Sequence, residues 1–300
     1  KIIWHLEEPL ADAAILGLYY LSQEAKEYVT VVLAGEGGDE TFVGYPRYYW
    51  HRKAQIYNQI PFTLRRGILN PLIQNLSFIP SNLSRRAKKF IQGVAKLEAQ
   101  RYTHWFAIFS EEVKQEIYNS EIKVMISSDD PAMDLAGYFN KSTFTDAISR
   151  AQYVDIKTYL VDNLLLKADK ITSVFSLEAR LPFLDHKLVE FVTSIPVSLK
   201  LKGHQTKHIL RKFISGFLPR QITQRRKQGF MVPIQHWFKK DLSSYAYDIL
   251  LDRGAKARGL FNISQVEALL KQLKKGQYVY AEQVYSLINL EMWNRIFLDV

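Results

Sequence analysis

The fold is decided by the stretch Val29-Thr30-Val31-Val32-Leu33-Ala34-Gly35-Glu36-Gly37-Gly38-Asp39-Glu40. The apolar run predicts a buried β-strand over 29–34, and the glycines and carboxylates after it predict a tight turn. Open α/β sheets bind ligands at the carboxyl ends of their strands, where glycines let the backbone approach a phosphate and carboxylates hold the accompanying divalent cation. For glycines and acids taken alone, the simpler interpretation is a strand–turn–helix junction with Asp39 or Glu40 at the helix N-terminus.

Composition narrows the class of protein. The chain has 300 residues, 47% of them hydrophobic, enough for one large domain or two modest ones. Forty basic against thirty acidic residues give a net charge of +10, which suits an anionic partner such as a nucleotide, a nucleic acid or a membrane surface. The absence of cysteine excludes disulfides and thiolate metal sites, and we expect a cytoplasmic protein. No apolar run is long enough for a membrane span, and a start at Lys1 rather than Met suggests a fragment or a processed product.

Helical periodicity governs most of the remaining chain. The clearest loop is Ser127-Ser128-Asp129-Asp130-Pro131, because the residue before a proline avoids the helical region and a serine and aspartate run favours turns. Since 29–34 is the one predicted strand, we expect an α/β fold that is mostly helical. Apolar residues at helical spacing predict helices over 10–27, 85–118, 151–170, 178–196, 205–217, 233–251, 263–275 and 279–297.

Two basic segments are candidates for contact with an anion. Leu164-Leu165-Leu166-Lys167-Ala168-Asp169-Lys170 places two lysines on an apolar helix, either as a surface ion pair or as two ammonium groups that face an anionic ligand. Arg225-Arg226-Lys227-Gln228-Gly229-Phe230 sets three cations beside a glycine, which suits phosphate or pyrophosphate. A solvated basic loop and a nucleic-acid surface are the alternatives, but no recognisable nucleic-acid motif accompanies the charge.

A further charged segment, from Ser176 to His186, contains Glu178, Arg180 and Asp185. We expect these three side chains to form a buried ion network around a turn that orients the following helix, with contact to a substrate as the alternative. Other common sites are excluded. Glu40 stands where a dinucleotide fingerprint requires its third glycine, and the chain contains neither a Walker A motif nor a G-x-S-x-G elbow.

Taken together and in this order, these segments resemble the synthetase domain of glutamine-hydrolysing asparagine synthetases and their β-lactam synthetase relatives. The likeness extends over about residues 1 to 240, and the last sixty residues match only as a helical tail. It rests on Val31 to Glu40 with Phe42, Gly44 to Tyr48, Lys167 to Lys170, Leu177 to His186, Lys207 to Arg211, and Arg225 to Phe230 with Pro233 and Trp237.

The resemblance implies an adenine-nucleotide alpha-hydrolase-like, Rossmann-like fold and ATP-dependent amide synthesis. ATP adenylates the side-chain carboxylate of aspartate with release of pyrophosphate, and glutamine-derived ammonia then displaces AMP to give asparagine. By this likeness Asp39 is a Mg²⁺ ligand, and Glu36 is a catalytic acid close to the reacting substrate. Lys227 and Lys167 are catalytic cations that stabilise charge on the phosphates. The implied cofactor-binding residues are Gly35, Gly37, Gly38, Asp39 and Tyr45.

The resemblance also implies the organisation of the chain. Residues 1–60 are expected to end the nucleotide-binding α/β core, 61–150 to form a helical insertion, and 151–300 to form a helical C-terminal region. The family's Ser-Gly-Gly-x-Asp-Ser pyrophosphate loop and its glutaminase domain are not in this sequence, so we expect the chain alone to be inactive. Val43 stands where a glycine is usual, and Thr41 replaces an apolar residue.

Three alternatives to asparagine synthesis stay open at this point. Related enzymes use the same adenylating chemistry on other carboxylates, and motifs around the metal do not separate them, because substrate choice depends on pocket shape. A truncated module that only binds a nucleotide or an acidic partner is the second, and a nucleic-acid-binding protein, resting on charge alone, is the third. The expected partners are small molecules, namely ATP, ammonia and aspartate or another carboxylate, without nucleic acid or membrane. A homodimer is compatible with the resemblance.

Overall fold

The computed structural model describes residues 1–65, 67, 71, 89–225, 228–240 and 242–299. Within them, two short strands pair in parallel, β1 (Val31–Leu33) and β2 (Glu178–Arg180), with Val32 opposite Ala179. The predicted strand over 29–34 is therefore present, three residues shorter than expected. Helices make up most of the remaining described chain, which confirms the expectation of a mostly helical α/β fold.

Along the chain, helices come before, between and after the two strands. Those before β2 are Ile2–Leu6, Ala14–Lys26, Gly38–Thr41, Pro46–Asn58, Phe62–Leu64, Glu98–Phe106, Glu111–Ile117, Ser120–Met125, Pro131–Lys141, Ala147–Lys157, the π-helix Tyr159–Leu165 and Leu166–Val174. After β2 come the 3₁₀-helix Pro182–Leu184 and helices His186–Ser194, Val197–Lys200, His208–Ile214, Arg220–Thr223, Ile234–Lys239, Leu242–Leu250, Arg253–Arg258, Ile263–Lys274, the 3₁₀-helix Tyr278–Tyr280 and Ala281–Phe297.

The helix predicted over 178–196 is wrong in its first half. Residues Glu178–Arg180 form β2, because the amide of Glu178 donates to the Thr30 carbonyl and the Arg180 carbonyl accepts from Ala34. Pro182 begins a 3₁₀ turn, and the helix covers only His186–Ser194. Residues 178–180 form a strand because they pair with β1, almost 150 residues earlier in the chain. Local sequence periodicity does not indicate such a distant partner.

Three other long predicted helices are interrupted, and one of them, 233–251, divides into helices Ile234–Lys239 and Leu242–Leu250. The stretch 85–118 contains helical residues at 89–94 and the helices Glu98–Phe106 and Glu111–Ile117, the last of which begins where Ser110 accepts from the amide of Val113. The stretch 151–170 passes through the π-helix Tyr159–Leu165. By contrast, the predicted loop at 127–131 is confirmed, because Asp130 caps a helix whose first residue is Pro131.

Hydrophobic clusters join these helices. One cluster packs the C-terminal helices around buried side chains such as Phe238, Leu250 and Leu270. A second cluster contains Val43 and Tyr48 and lies beneath the turn that follows β1. No helix in the described ranges has the length and apolar character that crossing a membrane requires.

Candidate active site

The turn after β1 requires glycine at two positions. Gly37 has a φ of +83°, and a Cβ there would lie 2.1 Å from Cδ2 of Leu184. Gly44 closes the same segment, and a Cβ there would lie 1.8 Å from Oδ1 of Asp39. Only glycine adopts such a backbone or allows such an approach without strain. The glycine and acid stretch therefore folds into one compact loop at the carboxyl end of β1.

Asp39 lies in this loop against a lysine from a distant part of the chain. The Nζ atom of Lys207 is 3.0 Å from Oδ1 of Asp39, and both side chains are mostly buried. Lys207 precedes helix His208–Ile214 and has a φ of +52°. Lys207 was not among the predicted site residues, although the stretch from Lys207 to Arg211 carries part of the resemblance. The structure thus places a cation beside the predicted metal ligand.

Glu36 is half-buried in the same loop. Its Oε2 atom is buried and has no hydrogen-bond partner among the residues that the structure describes. An unpaired buried carboxylate oxygen is costly, so a donor or a cation from a ligand would stabilise it. In the described part of the chain, no group of three or more histidine, aspartate or glutamate side chains is placed to hold a metal ion.

Glu40 and Tyr45 form the back of the loop. Glu40 is 1% exposed, and its Oε1 atom accepts a hydrogen bond of 2.6 Å from the Tyr45 hydroxyl. Burial raises the pKa of Glu40, and the bond from Tyr45 opposes that rise. Burial likewise raises the pKa of the Tyr45 phenol, which therefore remains a donor. Tyr45, a predicted cofactor-binding residue, is thus held by a neighbouring acid.

A buried polar cluster supports Tyr45 from behind. The guanidinium carbon of Arg47 lies 4.0 Å from the centre of the Tyr45 ring, and Arg47 donates to Oδ2 of Asp155 at 2.9 Å. The hydroxyls of Tyr48 and Tyr102 donate to the same oxygen at 2.5 and 2.6 Å. Burial and the charge of Asp155 raise the pKa of both phenols, so both keep their protons.

Lys167 is buried, and the carboxylate that pairs with it was not predicted. Its Nζ atom donates to Oδ2 of Asp12, which precedes helix Ala14–Lys26. Lys170, on the same helix, bonds Glu7 near the protein surface. Lys167 and Lys207 therefore each pair with a carboxylate that is distant in sequence, Asp12 and Asp39 respectively. No sequence motif connected Asp12 with Lys167.

Two other charged segments were predicted to be functional or structural sites, at 225–227 and at 178–185. Lys227, the other predicted catalytic cation, lies outside the described residues together with Arg226. Arg211 fixes the chain just before them, because it donates to the carbonyls of Thr223 and Arg225. The buried ion network expected at Glu178, Arg180 and Asp185 is wrong, because Arg180 and Glu178 pair at 2.8 Å while largely exposed, and Asp185 caps a helix.

A large open cavity adjoins this region, which we call the aromatic chamber. Its volume is about 1110 Å³, and it extends between the Asp12 segment, the π-helix and the first turn of helix Ala281–Phe297. Its wall includes Asp12, which pairs with Lys167, and Arg47, which stacks on the Tyr45 ring. Its wall also includes Phe106, Tyr159, Phe230 and Tyr285.

Comparison with known proteins assigns the fold family. The chain matches the asparagine synthase family over residues 1–295. The chain belongs to this family. A glutamine-hydrolysing asparagine synthetase of Bacillus subtilis, number 1, is 32% identical over all of the chain and 45% of its own length. Another from the same bacterium, number 3, is 24% identical over 90% of the chain and 38% of its own length.

More distant relatives of the asparagine synthase family also match. The amidase chyE of Penicillium rubens is 25% identical over 78% of the chain and 37% of its own length. The chain spans less than half the length of each of these relatives. No solved structure matches the chain significantly. Family membership confirms the resemblance and the α/β fold class, while the roles of individual residues remain predictions.

Proposed function

We propose that this chain is the synthetase part of an ATP-dependent ligase that converts a carboxylate into an amide. In the proposed reaction ATP adenylates the side-chain carboxylate of aspartate, pyrophosphate leaves, and ammonia derived from glutamine displaces AMP to give asparagine. The observation that carries the proposal is the glycine and acid loop at the carboxyl end of β1, with Lys207 3.0 Å from Asp39, in a chain matched to the family over 1–295.

The proposed roles follow from the chemistry of each group. The glycines Gly35, Gly37 and Gly38 let the backbone approach the nucleotide, and Glu36 lies near the reacting carboxylate. Lys207, for which no site role was predicted, would supply positive charge beside Asp39 for an anionic ligand. Lys167 and Lys227 are proposed as further cations for the negative charge that develops during adenylate formation.

The loop from Gly35 to Glu40, which we call the acid loop, suits a magnesium ion that phosphate oxygens also bind. Mg²⁺ binds through one or two carboxylates together with phosphate oxygens, and Glu36 and Asp39 supply such a pair from one turn. The unpaired buried oxygen of Glu36 is the observation that favours a cation or donor there. When bound, the ion polarises phosphate oxygens and neutralises charge on the leaving pyrophosphate. The protein's own contribution is to hold the two carboxylates on a rigid loop.

A second candidate is the same chemistry on another carboxylate. The match to the amidase chyE over 78% of the chain favours it, because that relative is not named as an asparagine synthetase. The glycines and Asp39 of the acid loop do not distinguish the two candidates, since their proposed roles concern ATP and its metal ion rather than the acceptor.

Pyrophosphate release by the full-length protein tests the proposal. We expect ATP-dependent release with aspartate, and release with a different carboxylate would establish the second candidate. No release with any member of a carboxylate panel would refute both. Asp39→Asn should reduce the rate about 100-fold or more, because the loop then loses a charge that the phosphate site requires. Asp129→Asn, the same change at an exposed loop position, is the matched control.

A further inference from the structure

The guanidinium of Arg47 is bonded to the protein through two of its three nitrogens, and Arg47 forms part of the wall of the aromatic chamber. Its Nε and Nη2 atoms donate to Oδ2 of Asp155, and Nε also donates to the Tyr102 hydroxyl. Nη1 has no hydrogen-bond partner among the described residues. The side chain is 12% exposed, and Arg47 belongs to the chamber wall. The free N–H groups of Nη1 are therefore available to a ligand in the chamber.

Packing fixes the direction of this guanidinium. Its carbon lies 4.0 Å from the ring centre of Tyr45 and 4.7 Å from that of Tyr159. Aromatic faces hold a planar guanidinium by cation–π attraction and stacking. The bonds to Asp155 restrict rotation further. Binding a ligand at Nη1 consequently costs little side-chain entropy, because the arginine is ordered before the ligand arrives.

The chamber suits an organic acid. Its apolar wall residues suit a carbon skeleton. The charged wall residues are the cations Arg47, Lys114 and Lys239 and the carboxylates Asp12 and Glu282, and Lys114 is paired with Glu111 outside the wall. With Nε and Nη2 engaged by Asp155, Nη1 remains to donate to a carboxylate, and such a charge-assisted hydrogen bond is stronger than a neutral one. The chamber wall includes Asp12, which pairs with Lys167, and Arg47, which stacks on the Tyr45 ring, so a bound acid would lie next to the residues that hold these two contacts.

We propose that Arg47 anchors the carboxylate of the acceptor that is not activated, which for aspartate is the main-chain carboxylate. This inference rests on the proposed function for the identity of the acceptor, and it adds the residue that selects an acceptor with a second carboxylate. The reacting carboxylate remains free for adenylation. Arg47 then acts as a specificity residue in the chamber, while Asp155 and the two tyrosine rings position it.

Binding measured without ATP separates this inference from the proposed function. Isothermal titration of the chain with aspartate is compared with titration with aspartic acid α-amide, which lacks only the main-chain carboxylate. We expect aspartate to bind about 10- to 100-fold more tightly, the value of a charge-assisted hydrogen bond to a carboxylate. Arg47→Met should remove this preference. Arg47→Lys should retain part of it, since lysine keeps the positive charge but lacks the planar guanidinium.

The control is Arg52→Met, an exposed arginine on the same helix, which should keep the wild-type preference. Thermal denaturation of each variant shows that it is folded before binding is compared. Equal affinity of the wild-type chain for both ligands overturns the inference, as does the absence of saturable aspartate binding. A folded Arg47→Lys variant with the full wild-type preference also overturns it. Failure of pyrophosphate release in the full-length protein, with this preference intact, would refute the proposed function alone.

Discussion

Replacing Lys200 by methionine should stabilise the protein. Lys200 ends helix Val197–Lys200 and is 1% exposed, yet its ammonium has one hydrogen bond, of 3.0 Å, to the carbonyl of Val192. Burial lowers the pKa of Lys200 from 10.5 to about 8, and attraction to Asp146 offsets part of that shift. At neutral pH the folded protein therefore holds a charge in an unfavourable place.

The magnitude follows from the pKa shift of Lys200. A change from 10.5 to about 8 corresponds to roughly 3 kcal/mol of lost folding free energy at pH 7. Methionine removes this cost but also removes the hydrogen bond, worth about 1 kcal/mol. The Val192 carbonyl keeps the amide of Ile195 as a donor, so it is not left unpaired. We expect Lys200→Met to raise the free energy of unfolding by about 2 kcal/mol at pH 7.

The pH dependence of Lys200→Met distinguishes this cause from improved packing. The folded pKa of Lys200 is depressed, so the unfolded chain binds more protons between pH 8 and 10.5, and wild-type stability rises with pH in that window. The advantage of the variant should therefore shrink by about 2 kcal/mol between pH 7 and pH 9.5.

Denaturant titrations of wild type and variant at both pH values measure the advantage of Lys200→Met. The exposed neighbour Lys202→Met is the control and should change stability little at either pH. An advantage that is the same at pH 7 and at pH 9.5 would refute the reasoning, as would a less stable variant at pH 7.

Three further changes test other parts of the structure. Gly37→Ala should destabilise the protein by about 1–2 kcal/mol for its left-handed backbone alone, whereas Gly35→Ala should cost less in the same denaturation assay. Gly44→Ala should slow pyrophosphate release by the full-length protein, because its Cβ displaces the carboxylate of Asp39; a wild-type rate would contradict this. Glu291→Gln should lower the free energy of unfolding by about 2 kcal/mol, since that carboxylate is 5% exposed and pairs with two arginines; an unchanged denaturation midpoint would argue against it.

How far the sequence predicted the site depended on the separation of its residues along the chain. The loop from Gly35 to Glu40 was predicted as a turn after a strand, because glycine and carboxylate preferences act within a few residues. Val43 is a second local case. The resemblance has a glycine at this position, and Val43 has a φ of +58°, in the left-handed region that favours glycine. Tyr45 was predicted to bind the cofactor, and this stays a prediction; its hydrogen bond to Glu40 was not foreseen.

Pairings across long separations were missed or misjudged. Lys207 reaches Asp39 across 168 residues of sequence, and Asp12 holds Lys167 across 155. Both depend on how distant helices pack; contact between Ile15 and Ile171, for example, joins the two helices that carry or adjoin Lys167 and Asp12. A charged residue carries no sign in its local sequence of which distant charge it will meet, so these partners became visible only in the folded chain.

The sequence by itself determined that β1 ends in a glycine and acid loop, that the chain is mostly helical, and that it resembles the asparagine synthase family. Those properties arise from backbone conformational limits and periodic burial, which act locally. Tertiary structure decided that β2 pairs with β1, that Lys207 lies against Asp39, and that Arg47 lies in the wall of the aromatic chamber with Asp155 as its partner. Each of these contacts exists because packing brings distant segments together and excludes water around them.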